Sequence, residues 1–217
     1  MEICTLIPAY NEEKTIKNIV KTVINIELID RVIVIDDGST DNTALVAKNA
    51  GAEVIKMKEN RGKGAALKKG LEKTDAEIIL MLDGDLIGLN KKHIDKLLNP
   101  VLNNNFDMSV GIFDHGPGLT DLAQQVTPSL SGQRAIKLDI LNNIENLDKA
   151  GFGVEVSINN YVKNNGAVEF VELKNLNHVM KEEKMGLLKG LIARLKMYWD
   201  IIRTVIKRIL ISKNNGG

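Results

Sequence analysis

The chain has 217 residues, of which 44% are hydrophobic and 26% are charged, and its formal net charge is +1. This composition is typical of one soluble domain with a small appendage, and it excludes a disordered, collagen-like or disulfide-stapled chain. The single cysteine, Cys4, lies in an apolar run, which predicts a buried thiol and fits a reducing compartment. The near-neutral charge gives no indication of nucleic-acid binding. No uncharged run reaches the roughly 18 apolar residues of a transmembrane helix.

The first 110 residues alternate between two hydrophobic periods. Continuous apolar runs predict strands at 3–7, 31–36, 52–57 and 77–82, and helical spacing predicts helices that open near residues 11, 37 and 60. Asn11 is the expected N-cap of the first helix. Such alternation predicts an α/β fold with a parallel sheet and helices on both faces.

The pattern after residue 85 is less regular. Apolar spacing predicts a helix at 93–103, a strand at 108–113, a strand at 131–136, a helix at 154–163 and a strand at 167–173. The polar stretch 114–131 has weak periodicity and is interpreted as a loop or short helices. His93 and His115 belong to no motif and are expected at the surface.

Four polar loops follow the first four predicted strands, at 8–12, 36–41, 60–64 and 83–85. The carboxyl ends of parallel strands lie at one edge of the sheet, and open sheets of this kind bind ligands there. The four loops together therefore predict one ligand site.

The acidic turn Asp83-Gly84-Asp85 places two carboxylates two residues apart at a strand end. Such a pair can bind one hard cation, Mg²⁺ or Mn²⁺, and the cation could neutralise a departing diphosphate. A solvated acidic turn is the alternative. Lys63 lies between two glycines at a predicted helix start, where backbone N–H groups and the ammonium favour phosphate oxygens. A plain helix cap is the alternative there.

The second loop contains paired acids and a tight turn. Asp36 and Asp37 could accept hydrogen bonds from a nucleobase N–H or a ribose hydroxyl, as acids do in dinucleotide sites. Ser39 or Asp41 is expected to cap the helix that follows.

The four loops, taken in order, resemble those of the family 2 glycosyltransferases, which use nucleotide sugars. The residues that carry the resemblance are Pro8-Ala-Tyr-Asn-Glu-Glu, Ile35-Asp-Asp-Gly-Ser-Thr-Asp, Asn60-Arg-Gly-Lys-Gly and Asp83-Gly-Asp, and the match covers residues 1 to about 110. It implies a GT-A fold, a Rossmann-like and mostly parallel sheet. It also implies a metal bound by Asp85, with Lys63 near the diphosphate. The donor-binding residues that it implies are Pro8, Ala9, Tyr10, Glu12, Asp36, Asp37, Lys63, Asp83 and Gly84.

The second half resembles the glucosyl-3-phosphoglycerate synthase branch of that family, through Ser131-Gly-Gln-Arg-Ala, Gly151-Phe-Gly-Val-Glu and Asn175-Leu-Asn-His. The resemblance implies that His178 completes the metal site with Asp85, and that Gly132, Arg134 and Glu155 face the acceptor. Arg134 is alternatively a surface charge. The branch retains anomeric configuration, so Glu155 would position the sugar or the acceptor. A general base in an inverting enzyme is the other interpretation of Glu155.

These observations predict a domain at 1–180, with a nucleotide-sugar half at 1–110 and an acceptor half at 111–180. The predicted reaction moves a hexose, with UDP-glucose favoured as donor, to a small phosphorylated or lipid-linked acceptor. Its catalytic residues would be Asp85, Glu155 and Lys63. The alternatives are an inverting polyprenyl-phosphate glycosyltransferase and a non-catalytic membrane adaptor that binds nucleotide sugars. A sugar nucleotidyltransferase is disfavoured because Pro8-Ala-Tyr-Asn replaces the expected glycine-rich loop.

The C-terminal segment 181–213 carries nine Lys/Arg and three Asp/Glu, with apolar residues at helical spacing. This pattern predicts a basic amphipathic helix, which could lie on an anionic membrane, form a homodimer or pack on the domain. Glu2 and Pro8 interrupt the first apolar run, so no signal peptide is expected. We therefore expect a cytoplasmic protein, with peripheral contact at the inner face of the plasma membrane as an open alternative.

Overall fold

The computed structural model describes residues 1–113, 131–144, 147 and 153–179, and the structural statements below concern these residues. The strands of its main sheet are β1 (Ile3–Ala9), β2 (Arg31–Asp36), β3 (Glu53–Lys56), β4 (Ile78–Met81), β6 (Met108–Phe113), β7 (Arg134–Lys137) and β8 (Val168–Leu173). They are hydrogen-bonded in the order β3-β2-β1-β4-β7-β6-β8. A separate two-stranded ladder joins β5 (Leu86–Ile87) to β9 (Asn177–His178).

The main sheet is mostly parallel, as predicted. The pairs β1–β2, β1–β4, β2–β3 and β6–β8 are parallel, whereas β7 runs antiparallel to both of its neighbours, β4 and β6. The middle strand β4 is apolar throughout, and β1 is apolar except at Thr5, because both of their faces are covered.

Helices cover both faces of the sheet, which confirms that prediction. They are α1 (Ile16–Ile24), α2 (Thr43–Ala50), α3 (Lys63–Leu71), α4 (Lys91–Asn103), α5 (Leu138–Asn142) and α6 (Val154–Asn165). Alternate residues of β1 divide between two apolar cores, since Ile3 and Ile7 pack with α1, α2 and α4 while Cys4 and Leu6 pack with α3 and α6. The Cys4 thiol is buried, as expected.

The predicted N-cap of α1 is wrong. Asn11 adopts the left-handed conformation with φ of 57°. Helix α1 begins at Ile16, four residues after the expected first helical residue, with Thr15 at its N-cap position. The Asn11 side chain instead accepts the N–H of Thr40 at 2.9 Å, so it joins two loops rather than starting a helix. Asn42, rather than Ser39 or Asp41, occupies the N-cap position of α2, although the Asp41 carboxylate accepts the N–H of Thr43, the first residue of that helix, at 2.9 Å.

The irregular second half contains elements that the sequence did not predict, namely β5, β9 and α5. The stretch 114–130, His115 and the predicted amphipathic helix at 181–213 lie outside the described residues. No helix within the described ranges is long and apolar enough to cross a membrane.

Candidate active site

The loops that follow β1, β2 and β4 lie at one edge of the sheet, where the sequence predicted a ligand site. The register pairs Ala9 with Asp36 and Leu6 with Met81, so these three strands end side by side. The loop that precedes α3 joins the same edge through its hydrogen bonds to Asp37.

The first two loops are hydrogen-bonded to each other, which fixes the predicted donor-binding segment 8–12. Glu12 donates its backbone N–H to Thr43 Oγ1 at 2.7 Å, and the Asp37 N–H bonds the Ala9 carbonyl at 2.8 Å. Pro8 and Ala9 are the last residues of β1. Tyr10 is 43% exposed, so its ring is open to a planar ligand.

Asp36 is fully buried at the end of β2. Its Oδ1 accepts the backbone N–H of Ser39 at 2.9 Å, whereas its Oδ2 has no hydrogen-bond partner in the described part of the chain. A buried acceptor without a partner is costly, but this oxygen is enclosed by protein, so a ligand N–H or O–H reaches it only when the groups around it move. The nucleoside contact of Asp36 stays a prediction.

Asp37, unlike Asp36, uses both of its carboxylate oxygens as hydrogen-bond acceptors. Its two carboxylate oxygens accept the backbone N–H groups of Arg61 and Gly62, each at 2.8 Å. Gly38, with φ of 74°, allows this approach, since a Cβ there would lie 2.6 Å from the carbonyl carbon of Glu59. Asp37 therefore orders the loop that presents Lys63, and its direct contact with a nucleoside stays a prediction.

Lys63, the first residue of α3, lies between two carboxylates. Its ammonium contacts Asp83 Oδ1 and lies 2.6 Å from Glu155 Oε1. Burial alone would lower the pKa of Lys63, but the two carboxylates outweigh burial and raise that pKa above its ordinary value. Burial likewise opposes ionisation of Asp83, and the Lys63 charge holds the pKa of that carboxyl below its usual range. Three of the predicted site residues thus form one charged cluster.

The segment before β7 completes this cluster. Gln133 is fully buried, and its amide nitrogen donates to Asp83 Oδ2 at 2.7 Å. Ser131 Oγ in turn donates to the side-chain amide oxygen of Gln133, Oε1, at 3.0 Å. Gly132 lies directly against the Lys63–Asp83 ion pair, since a Cβ at position 132 would overlap both Asp83 carboxylate oxygens and the Lys63 ammonium. Only glycine fits at position 132 without displacing the charged groups.

Arg134 is not a surface charge, so that alternative is wrong. The residue is fully buried in β7, and its guanidinium donates to Asn159 Oδ1 at 3.1 Å and to the Ser131 carbonyl. Burial lowers the pKa of the Arg134 guanidinium, while Glu155 and Asp83 oppose that shift. Lys63 and Arg134 therefore balance the two carboxylates. The predicted contact between Arg134 and an acceptor stays a prediction.

The Asp83-Gly84-Asp85 turn is anchored at its glycine. Thr15 Oγ1 donates to the Gly84 carbonyl at 2.7 Å, and a Cβ on Gly84 would lie 3.1 Å from that of Ala9 and 3.2 Å from Glu12 Cγ. The turn is thereby packed against the loop that follows β1, so the predicted donor and metal residues are neighbours.

The two predicted metal ligands are brought close in the fold. Asp85 directly precedes β5, and the β5–β9 ladder places His178 opposite Leu86. The exposed His178 ring packs edge-on against Phe113, with 4.5 Å between centroids. No group of three or more His, Cys, Asp and Glu side chains in the described ranges could hold a metal alone. One carboxylate and one imidazole suit Mn²⁺ or Mg²⁺ when diphosphate oxygens and water supply the remaining ligands.

Sequence reasoning missed several residues that shape this site. Gln133 lies inside the Ser131–Ala135 motif, which does not indicate its role, and Thr15 and Asn159 belong to no motif. The surface prediction for His93 is wrong, because that side chain is only 5% exposed. His93 lies on the apolar face of α4, and this position in the hydrophobic pattern indicates a buried side chain.

Comparison with known proteins agrees with this architecture. Residues 4–160 match the model of the glycosyl transferase family 2, and the chain therefore belongs to that family, as the sequence motifs predicted. It is similar to the glucosyl-3-phosphoglycerate synthase of Mycobacterium tuberculosis (strain ATCC 25618 / H37Rv), with 28% identity over 72% of this chain and 59% of the relative. It is 32% identical to the glycosyltransferase AglJ of Haloferax volcanii, over 72% of this chain and 56% of that protein. The chain thus spans less than two thirds of either relative.

Solved structures show the same fold. The glucosyl-3-phosphoglycerate synthase of Mycobacterium tuberculosis in complex with Mn²⁺ and UDP-glucose superposes with a TM-score of 0.76 and 26% identity, covering 95% of this chain and 78% of that one. A complex of the same enzyme with Mn²⁺, UDP-glucose and phosphoglyceric acid gives a TM-score of 0.68 and 26% identity, over 82% and 71% of the two chains. The fold is therefore the predicted GT-A fold.

Proposed function

We propose that this protein transfers a glucosyl residue from UDP-glucose to a small phosphorylated acceptor in a metal-dependent reaction. The observation that carries the proposal is the partly buried charged cluster of Lys63, Asp83 and Glu155 at the carboxyl edge of a GT-A sheet. Asp36 ends a strand at the same edge, and its Oδ2 has no partner in the described part of the chain. Complexes of similar synthases with UDP-glucose and phosphoglyceric acid support this choice of substrates.

The donor would lie along the edge formed by the loops after β1 and β2. Asp36 Oδ2 would accept a hydrogen bond from the nucleoside, and the exposed Tyr10 ring would stack on the base. The positive end of the α3 helix dipole and the Lys63 ammonium would favour the diphosphate there. Negative charge that develops on the departing UDP would then compete with Asp83 and Glu155 for Lys63.

Asp85 and His178 would hold the metal ion, Mn²⁺ or Mg²⁺, together with diphosphate oxygens. The bound ion supplies electrostatic stabilisation of the leaving diphosphate. Asp83 is already engaged by Lys63 and Gln133, so it would keep the turn in place rather than bind the ion.

Glu155 would position the sugar or the acceptor, which supports retention of anomeric configuration. Its carboxylate is buried and ion-paired with Lys63, so accepting a proton from an acceptor hydroxyl would break that ion pair. Gly132 would leave space for the acceptor beside the cluster, and Arg134 would contribute positive charge behind it. These roles suit a small acceptor that carries a phosphate or carboxylate.

The test is release of UDP from UDP-glucose in the presence of Mn²⁺ and 3-phosphoglycerate. We expect Lys63→Met to lower kcat by about 100-fold or more, because removal of one electrostatic stabiliser costs about that much. Lys69→Met is the matched control, since Lys69 lies on the same helix but pairs with Glu72 in solvent, and it should keep wild-type activity. Equal activity of the Lys63→Met variant would refute the proposal.

The anomeric form of the product, read by NMR, separates the remaining alternatives. An α-linked product supports retention, and a β-linked product would establish the inverting alternative. Turnover with a polyprenyl phosphate alone would replace the small acceptor by a lipid-linked one. Tight UDP-glucose binding without any turnover would support the adaptor alternative. Membrane contact or dimerisation through residues 181–213 stays a prediction, since that segment lies outside the described residues.

A further inference from the structure

The buried His93 connects two parts of the fold that meet beside the candidate metal site. It lies in the first turn of α4, and its Nε2 is 2.9 Å from the backbone carbonyl oxygen of Lys174. Its Nδ1 accepts the backbone N–H of Asn90 at 3.3 Å, within a capping box in which the Asn90 side chain accepts the His93 N–H. A carbonyl can only accept and a backbone N–H can only donate, so the two partners fix the tautomer with hydrogen on Nε2.

Lys174 belongs to the turn that links β8 to β9. The turn is tight, because Asn175 has φ of 62°, and it packs on the loop after β5, where a Cβ on Gly88 would lie 2.8 Å from the Asn175 carbonyl oxygen. His178 follows only four residues after Lys174. The path of this turn therefore determines where the His178 backbone meets β5.

Among the described residues, Leu176 is buried in the core just before β9, and few contacts beyond it and this turn hold β9 in place. The strand has two residues, both exposed, and its ladder with β5 comprises two residue pairs. The His178 side chain packs its ring on Phe113. Short, exposed ladders open easily on their own. Lys96 of α4 also donates a hydrogen bond to this region, but its acceptor is the Glu172 carbonyl within β8, and the bond is exposed to solvent.

We propose that His93 is a positioning residue, which holds the β8–β9 turn through the Lys174 carbonyl and thereby keeps His178 beside Asp85. The inference rests on the proposed metal role of His178. His93 does not touch the metal or the substrates. It acts through one buried hydrogen bond between a side chain and the backbone, which water cannot easily replace.

Two substitutions with the same amide chemistry separate this role from general packing. In His93→Gln the amide nitrogen extends as far as Nε2 does, so it can donate to the Lys174 carbonyl. In His93→Asn the amide reaches only the Nδ1 position, so it can keep the bond to Asn90 but not the bond to Lys174. Asn90→Ala is the control, because it weakens the start of α4 and leaves the His93–Lys174 bond in place.

The first measurement is amide hydrogen exchange of the full-length, metal-free protein. We expect exchange at residues 86–87 and 177–178 to accelerate about fivefold or more in His93→Asn, as loss of one buried hydrogen bond implies. Exchange there should stay near the wild-type rate in His93→Gln and in Asn90→Ala. Unchanged exchange in His93→Asn would overturn the inference, and so would equal acceleration in all three variants.

The second measurement is the affinity for Mn²⁺ in the presence of UDP, followed by the EPR signal of free Mn²⁺. We expect about fivefold weaker binding in His93→Asn and near-wild-type binding in His93→Gln. Equal Mn²⁺ affinity in wild type and His93→Asn would overturn the inference. If the wild-type protein binds no Mn²⁺ with UDP, the proposed metal site fails. Hydrogen exchange then still decides whether His93 holds the turn.

Discussion

Replacement of Gly132 by alanine should inactivate the protein without unfolding it. A Cβ at this position would overlap both Asp83 oxygens and the Lys63 ammonium, far inside the 3.4 Å at which ordinary contact begins. These atoms are the ends of side chains and can move, so the loss of stability should stay within about 1–3 kcal/mol. The required movement displaces a charged cluster, and a misplacement of about 1 Å costs about 100-fold in rate. We therefore expect kcat/KM for UDP-glucose to fall about 100-fold.

The matched control is Gly153→Ala. Gly153 precedes α6, two residues before Glu155, and a Cβ there would meet nothing within 4 Å among the described residues. This variant should keep kcat/KM within about threefold, since no catalytic group has to move. Steady-state UDP release gives the activity and urea unfolding gives the stability. Wild-type kcat/KM in Gly132→Ala would refute the idea that the positions of Lys63 and Asp83 matter for the reaction.

Three carboxylates give further predictions. Lys63 lowers the pKa of Asp83. The ionised Asp83 carboxylate therefore contributes its full stabilisation above about pH 4, near the pKa of an unfolded aspartate, and this stabilisation is lost as pH falls through the lowered pKa. The difference in unfolding free energy between wild type and Asp83→Asn should therefore shrink below about pH 4 in urea titrations. Asp36→Asn should weaken UDP binding about tenfold by calorimetry without lowering stability, because Asp36 Oδ2 has no partner in the described structure. Asp107→Ala should cost about 1–3 kcal/mol of stability and leave UDP affinity unchanged, because Asp107 binds Lys137 and the Ala167 N–H away from the site.

Much of the sheet was predictable because its strands are continuous apolar runs. The structure has β6 at the predicted residues 108–113, and β2 at the predicted 31–36. The start of α1 was not predictable from local signals. Asn11 has the residue type of an N-cap, but its bonds to the loop after β2 are tertiary contacts, and these outweigh the local preference.

The motifs of the site were visible in the sequence, but the pairing between them was not. Lys63 and Glu155 are 92 residues apart, and their ion pair depends on which strands are neighbours. The antiparallel register of β4 and β7 pairs Met81 with Arg134, and continuing it by two residues brings Gly132 opposite Asp83. Gln133 meets Asp83 for the same reason, so no motif taken alone could identify its role.

The central claim is that this sheet edge binds UDP-glucose together with a metal ion. The most direct test is calorimetric titration of UDP-glucose and GDP-mannose into wild type and Asp85→Ala, with Mn²⁺ and with chelator. We predict that wild type binds UDP-glucose with Mn²⁺, and that chelator or the Asp85→Ala substitution abolishes this binding. We predict no comparable binding of GDP-mannose. Equal binding of UDP-glucose with chelator, or in Asp85→Ala, would contradict the proposed metal site, and failure of wild type to bind UDP-glucose with Mn²⁺ would contradict the proposed donor.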